Sequence, residues 1–154
     1  MALVVIMSLY VGIGASSAVG SMYLSHRFVP AKYESALYGL FLIPIACLYL
    51  AFTSYFGAAA AWSLETVAVL AFAVLGSLGT RLPGALISGY ALHGVWDLLH
   101  EIHAHAGADV FGGREATQIP LAYGAFCSTY DLAMAAYFIF RRGHWYAAWT
   151  AKAT

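Results

Sequence analysis

Long apolar stretches broken by short polar segments set the pattern of this chain. The pattern predicts five membrane-spanning helices, over about Ala2–Leu24, Ala36–Phe56, Ser63–Thr80, Gly84–His105 and Ile119–Phe140. Each approaches the ~20 residues that carry an α-helix across a bilayer. The breaks carry helix-stopping chemistry. The polar connection SHRFVPAKYES contains Pro30, Arg81-Leu82-Pro83-Gly84 reads as a tight turn, and Pro120 is expected in the first turn of the fifth helix. Pro44 falls inside the second span, where membrane helices tolerate a kink. Arg141, Arg142 and His144 are expected to stop the fifth span, ahead of an interfacial belt of Trp145, Tyr146 and Trp149.

One stretch departs from this apolar pattern. Gly89 to His105, GYALHGVWDLLHEIHAH, holds four of the six histidines and two of the seven acidic residues. On a helix at about 100° per residue, His93, Asp97 and His100 fall within about 60° of one another. Around them lie Ala91, Leu92, Val95, Leu98, Leu99 and Ile102. Ionisable groups on so apolar a helix are costly unless they face a partner, a cavity or an ion. Glu101, His103 and His105, farther along, read as a solvated helix end.

Composition supports the membrane reading. The chain is 62% hydrophobic and 9% charged, with mean hydropathy +0.77, whereas soluble proteins average about 25% charged. Net charge is zero, and no basic patch points to nucleic acid. Cys47 and Cys127 both lie in apolar runs, which argues against a disulfide framework. The first apolar run lacks a basic leader and is too long for a signal peptide, so it is expected to be retained. Within it, Gly12, Ser16 and Gly20 recur every four residues. Such a small-residue face serves packing within a bundle or a contact between two copies.

The basic residues orient the bundle. With five spans, Arg27, Lys32, Arg81, Arg141, Arg142 and Lys152 share one side, and only Arg114 lies on the other. The positive-inside rule then places the N-terminus outside and the C-terminus in the cytoplasm. At 1.5 Å per residue Asp97 lies about 20 Å from the inner end of its span, and Asp131 about 18 Å below the outer end of the fifth. Glu65 begins the third span on the outer side. Three helices can thus bring Glu65, His93, Asp97, His100 and Asp131 into the outer half of one bundle. Tyr123, Cys127, Tyr130 and Met134 form a stripe beside Asp131, and the two faces are expected to line a pocket.

Two chemistries suit these residues. In the first, His93, Asp97 and His100 ligate a divalent metal, zinc or iron, with Glu65 or Asp131 completing the shell and Tyr130 as proton donor or substrate contact. The i, i+4 spacing of His93 and Asp97 matches the geometry of HExxH helices without the sequence. In the second, Asp97 and Asp131 act as acid and base on a lipophilic substrate without a metal. That arrangement resembles sterol-isomerase-like membrane proteins in architecture and residue types, not in motif. A third reading is structural, with the stripe as a buried hydrogen-bond network between helices. Haem is disfavoured because buried histidines come from one helix only.

HGVWDLLHEIH with TQIPLAYGAFCSTYDLAMAAYF resembles the uncharacterised membrane-protein family catalogued as domain of unknown function 6010. The resemblance spans most of the chain. It implies a small multi-span protein, highlights His93, Asp97, His100 and Asp131, and supplies no reaction. The expectation is an all-α five-helix membrane bundle, a metal-dependent enzyme for a lipophilic small molecule.

Overall fold

The computed structural model describes residues 1–151, which form five α-helices and no strand. They are α1 (Ala2–Phe28), α2 (Ala31–Phe56), α3 (Trp62–Gly79), α4 (Pro83–Ala106) and α5 (Tyr123–Thr150), with a short 3-10 turn at Ala59–Ala61 before α3. Three segments are long and apolar enough to cross a bilayer: α1, α2 and Ala59–Gly79. They mark the chain as a membrane protein. Helices α4 and α5 are of similar length but are diluted by the ionisable side chains that make the site. Lys152, counted above among the cytoplasmic charges, lies outside the described residues.

Proline and glycine set the boundaries, though not always where the sequence pattern puts them. The break between α1 and α2 is only Val29-Pro30. Val29 is extended at φ −110° and ψ 121°, as the residue before a proline prefers. The rest of SHRFVPAKYES, expected to be a polar connection, is helical. Leu82 repeats the device before Pro83, the first residue of α4. Gly57 and Gly107, both at φ 67°, end α2 and α4 in the left-handed conformation that glycine adopts without strain.

The fifth helix differs most. It starts at Tyr123, so Pro120 precedes it rather than sitting in its first turn. At its other end it runs through Arg141 and Arg142 to Thr150. The helix continues past both arginines: Arg142 is exposed, while Glu34 of α2 receives the Arg141 Nε–H at 2.8 Å and the Trp145 Nε1–H at 2.8 Å. The apolar stretch and the helix therefore end at different places.

Helices α4 and α5 form the central pair. Helix α1 packs along α5, α3 bridges α2 and α4, and α1 meets its sequence neighbour α2 only sparsely. The α1–α5 contact runs through Gly14, where an added Cβ would strike the Phe126 carbonyl oxygen. Gly12 and Gly20 have open space beside them, and Gly12 and Ser16 are exposed. The small-residue face thus looks away from the bundle, and packing inside it uses Gly14 and Ala18 instead.

The apolar core is a cluster at the Pro83 end of α4, built on Leu42, Leu86, Tyr90, Met134, Phe138 and Trp145. A smaller cluster of Ala46, Val69 and Phe72 lies under Trp96. These packed layers hold the stretch of α4 that carries the polar stripe.

Candidate metal centre

Three of the expected site residues come together. His93 and Asp97 lie one turn apart on α4, and Asp131 reaches them from α5. His93 Nδ1 stands 2.7 Å from Asp131 Oδ2 and 3.2 Å from Asp97 Oδ2. Exposure is 1% for His93, 0% for Asp97 and 1% for Asp131, so any charge here must be balanced locally. One ligand atom from each residue can be chosen so that all lie within 4.8 Å of one another. Metal bonds of about 2.0–2.2 Å place neighbouring donors roughly 3 Å apart. Among the described residues, this is the group of three or more such side chains close enough to hold an ion.

The charge count points the same way. Two carboxylates and a neutral imidazole carry two negative charges, which a divalent cation cancels. Without a cation the pocket reaches neutrality only by taking up two protons. Metal and protons therefore compete for the same three side chains.

Tyr49 of α2, absent from the sequence-based set, completes this centre. Its hydroxyl donates to Asp97 Oδ1 at 2.5 Å, and its exposure is 1%. It orients the carboxylate and leaves Oδ2 to face His93, the work of a hydrogen-bond partner behind a metal ligand. In the sequence Tyr49 is one aromatic among many in an apolar run. Only the crossing of α2 over α4 singles it out.

His100 and Glu65, expected to share the same ion, form a separate pair. His100 Nδ1 lies 3.0 Å from the Trp96 carbonyl oxygen, and Nε2 lies 3.0 Å from Glu65 Oε1. A carbonyl only accepts, so Nδ1 carries the proton. Contact with Glu65 then needs a further proton, on Nε2 or on the carboxyl. Both nitrogens are committed, and neither offers a free lone pair to an ion held by His93. Glu65 Oε1 also accepts the Thr117 N–H at 2.9 Å. The five side chains placed around one ion by helix arithmetic thus divide into a triad and a dyad, with Tyr49 between them. Its ring centroid is 4.5 Å from that of His100 and 6.0 Å from that of His93.

Glu101 is not a solvated helix end. It is buried, and its two oxygens accept the N–H groups of Ala122 at 3.0 Å and Gly124 at 2.9 Å. These are among the orphan donors at the start of α5, so Glu101 caps a helix other than its own. His103 and His105 are half-buried, and His103 Nδ1 donates to the Ala108 carbonyl at 3.2 Å.

The second group missed by the sequence reading surrounds Glu34. Besides Arg141 and Trp145, Tyr137 donates to it at 2.5 Å and Ser25 at 3.3 Å. Residues 137, 141 and 145 are successive turns of one α5 face, and that spacing was the available signal. Four donors surround a fully buried carboxylate, and the arrangement ties α1, α2 and α5 together at the end remote from Glu101.

Tyr130 donates to Ser21 Oγ on α1 at 3.1 Å, so its hydroxyl is turned to α1 and not to the triad. With Tyr123, Cys127 and Asp131 it lines a cavity of about 310 Å³. The expected Tyr/Asp face exists, but it looks onto α1 and α2 rather than onto the histidines, and Met134 turns into the core. Asp131 belongs to both places. Its Oδ2 meets His93, while Oδ1 accepts no hydrogen bond among the described residues. No family model, curated protein or solved structure matches the chain.

Proposed function

We propose that this chain is a membrane-embedded enzyme that acts on a lipophilic small molecule at a metal centre of His93, Asp97 and Asp131. The observation that carries the reading is the double placement of Asp131, in the triad and in the wall of an apolar cavity. One imidazole and two carboxylates suit zinc, iron or manganese. A divalent ion held there supplies a Lewis acid beside the cavity. Tyr49 holds Asp97 in position, and the His100–Glu65 pair supports the outer end of α4 without ligating.

In this reading all five helices span the bilayer, with the N-terminus outside and the C-terminus in the cytoplasm. Arg27, Lys32, Arg81, Arg141 and Arg142 mark the cytoplasmic side. Membership of the domain of unknown function 6010 family belongs to the same proposal and adds no reaction to it.

Elemental analysis of the detergent-purified protein tests it. About one ion per chain is expected, lost in both His93→Ala and Asp97→Ala. Absence of stoichiometric metal, or the same content in both variants, overturns the metal reading. The second reading, acid–base catalysis without metal, then stands on the closed network of Tyr49, Asp97, His93 and Asp131, which can hold and pass a proton.

A further inference from the structure

A groove between α1 and α2 runs from one edge of the bundle to the wall of the candidate centre. The cavity that Asp131 lines shares Ser21, Phe41 and Tyr130 with a second, of about 440 Å³, which reaches Phe28 and Val29. Helices α1 and α2 barely touch there, and Leu24, Phe28, Leu37 and Phe41 on the rims are exposed. Both helices are long and apolar enough to cross a bilayer, so these rims face lipid chains and the groove opens to them sideways. From Phe28 to Ser17 it follows α1 for about 16 Å at 1.5 Å per residue. That is roughly half of the ~30 Å hydrocarbon core. The groove therefore leads from the membrane surface to the level where acyl chains end.

Its lining changes along the way. Near Phe28 it is mostly hydrocarbon, and the hydroxyls of Ser21, Ser25, Tyr38 and Tyr130 are bonded to one another or to Glu34. The deeper section adds Ser17, Tyr123, Cys127 and Asp131, so polarity rises toward the triad.

The mouth carries a cation. The Arg27 guanidinium lies over the ring of Phe28, a wall residue, 5.5 Å from its centroid. Arg27 is exposed, and among the described residues it pairs with no carboxylate. Ser35 donates to the Thr80 carbonyl at 3.1 Å and so holds the α3–α4 turn at this same end. Lys32, Arg81 and Arg142 are exposed there too, while the nearby acid, Glu34, is buried and paired with Arg141. Basic residues at a membrane surface attract anionic headgroups, and a guanidinium suits phosphate in particular.

We propose that the groove holds one acyl chain of an anionic phospholipid, with the phosphate on Arg27 and the chain running from Phe28 toward the Asp131 cavity. The lipid comes from the leaflet on the side of Val29-Pro30. This deepens the proposed function by naming its substrate class, a phospholipid presented by its chain rather than its headgroup. It rests on that reading only for the lipid being a substrate, since binding needs no metal.

The probes are phosphatidylglycerol and phosphatidylcholine carrying the same diazirine on one acyl chain. Each is photolysed as a trace component of phosphatidylcholine nanodiscs holding the full chain, and labelled peptides are mapped by mass spectrometry. Labels are expected around Leu24, Ser21, Phe41 and Tyr130. Phosphatidylglycerol should label these positions about fivefold more than phosphatidylcholine, the worth of one basic residue toward an anionic lipid. Arg27→Gln should abolish that preference, whereas Arg142→Gln, which removes a charge of the same face outside the groove wall, should keep it. Leu37→Trp, which narrows the groove away from the triad, should cut labelling by both probes and leave metal content unchanged. Inorganic phosphate, which has no chain to seat, should not compete. Equal labelling by the two probes, equal losses in Arg27→Gln and Arg142→Gln, competition by phosphate, or labels spread over the exposed face of α3 overturns the inference. Groove labelling in a protein that never binds metal removes the metal centre and keeps the lipid site, whereas metal without groove labelling does the reverse.

Discussion

Tyr49 on α2 and Asp97 on α4 are joined by a hydrogen bond of 2.5 Å, although 48 positions separate them in the chain. The bond fixes one oxygen of Asp97 and leaves the other toward His93. Removing the hydroxyl in Tyr49→Phe leaves a buried carboxylate oxygen unpaired. The expected cost is about 1.5–3 kcal/mol in unfolding free energy, the range for hydrogen bonds to charged groups. Metal affinity should fall about 10–100-fold, as when the partner behind a ligand is lost. Unfolding in detergent and metal titration read the two effects separately.

The division of the histidines predicts that they respond differently. His100→Gln should retain metal at the level of the unaltered protein, because His100 spends both nitrogens on Trp96 and Glu65. It should still lower the unfolding midpoint, since Glu65 loses a partner in a buried setting. Loss of metal in His100→Gln, with the protein still folded, would return His100 to the ligand set.

Glu34→Ala tests the opposite end of the bundle. It withdraws the acceptor of Tyr137, Arg141 and Trp145 at once and leaves the guanidinium, only 12% exposed, without its carboxylate. Breaking a buried pair in this way costs about 3–5 kcal/mol. Metal content per folded molecule should not change. Chemical unfolding monitored by tryptophan fluorescence checks this directly, because Trp145 is one of the partners.

Close approach of α4 and α5 depends on Gly124, where an added Cβ would strike the Asp97 carbonyl oxygen and come within 2.7 Å of Glu101 Cβ. Gly124→Ala should therefore destabilise by about 1–3 kcal/mol and loosen the triad, since Asp97 is one of the residues displaced. Gly12→Ala meets nothing within 4 Å and should stay within about 0.5 kcal/mol. A comparison of the two midpoints in one detergent is sufficient. An altered oligomeric state in Gly12→Ala would instead reveal a contact between copies on that face.

What could be read from the sequence was whatever is written locally. Prolines 30 and 83 placed two breaks, and helical spacing put His93 and Asp97 on one stripe. Depth arithmetic also brought Asp131 to their level, since rise per residue is fixed once the ends of a span are known. The same arithmetic could not separate His100 from the triad. That separation rests on which carbonyl and carboxylate its two nitrogens meet. The role of Glu101 is invisible in the sequence because its partners are backbone N–H groups at the start of α5, left without helical acceptors by a start at Tyr123 rather than Ile119. Tyr49 and Glu34 were hidden for a related reason. Each is defined by donors or acceptors on another helix, and neither stands out from its own neighbours.

The segment between α4 and α5 is fastened to the bundle by its backbone. Thr117 gives its N–H to Glu65, and Ala122 and Gly124 give theirs to Glu101. Those bonds require an amide hydrogen at positions 117 and 122, which proline lacks. Side chains add a second hold: the Phe111 ring packs on His100 and Trp96, and Thr117, Ile119 and Ala122 are buried. A loop grafted between the same helices should therefore settle over His100 only if it keeps an aromatic at 111 and apolar side chains at 119 and 122, besides the two glutamates that receive its backbone.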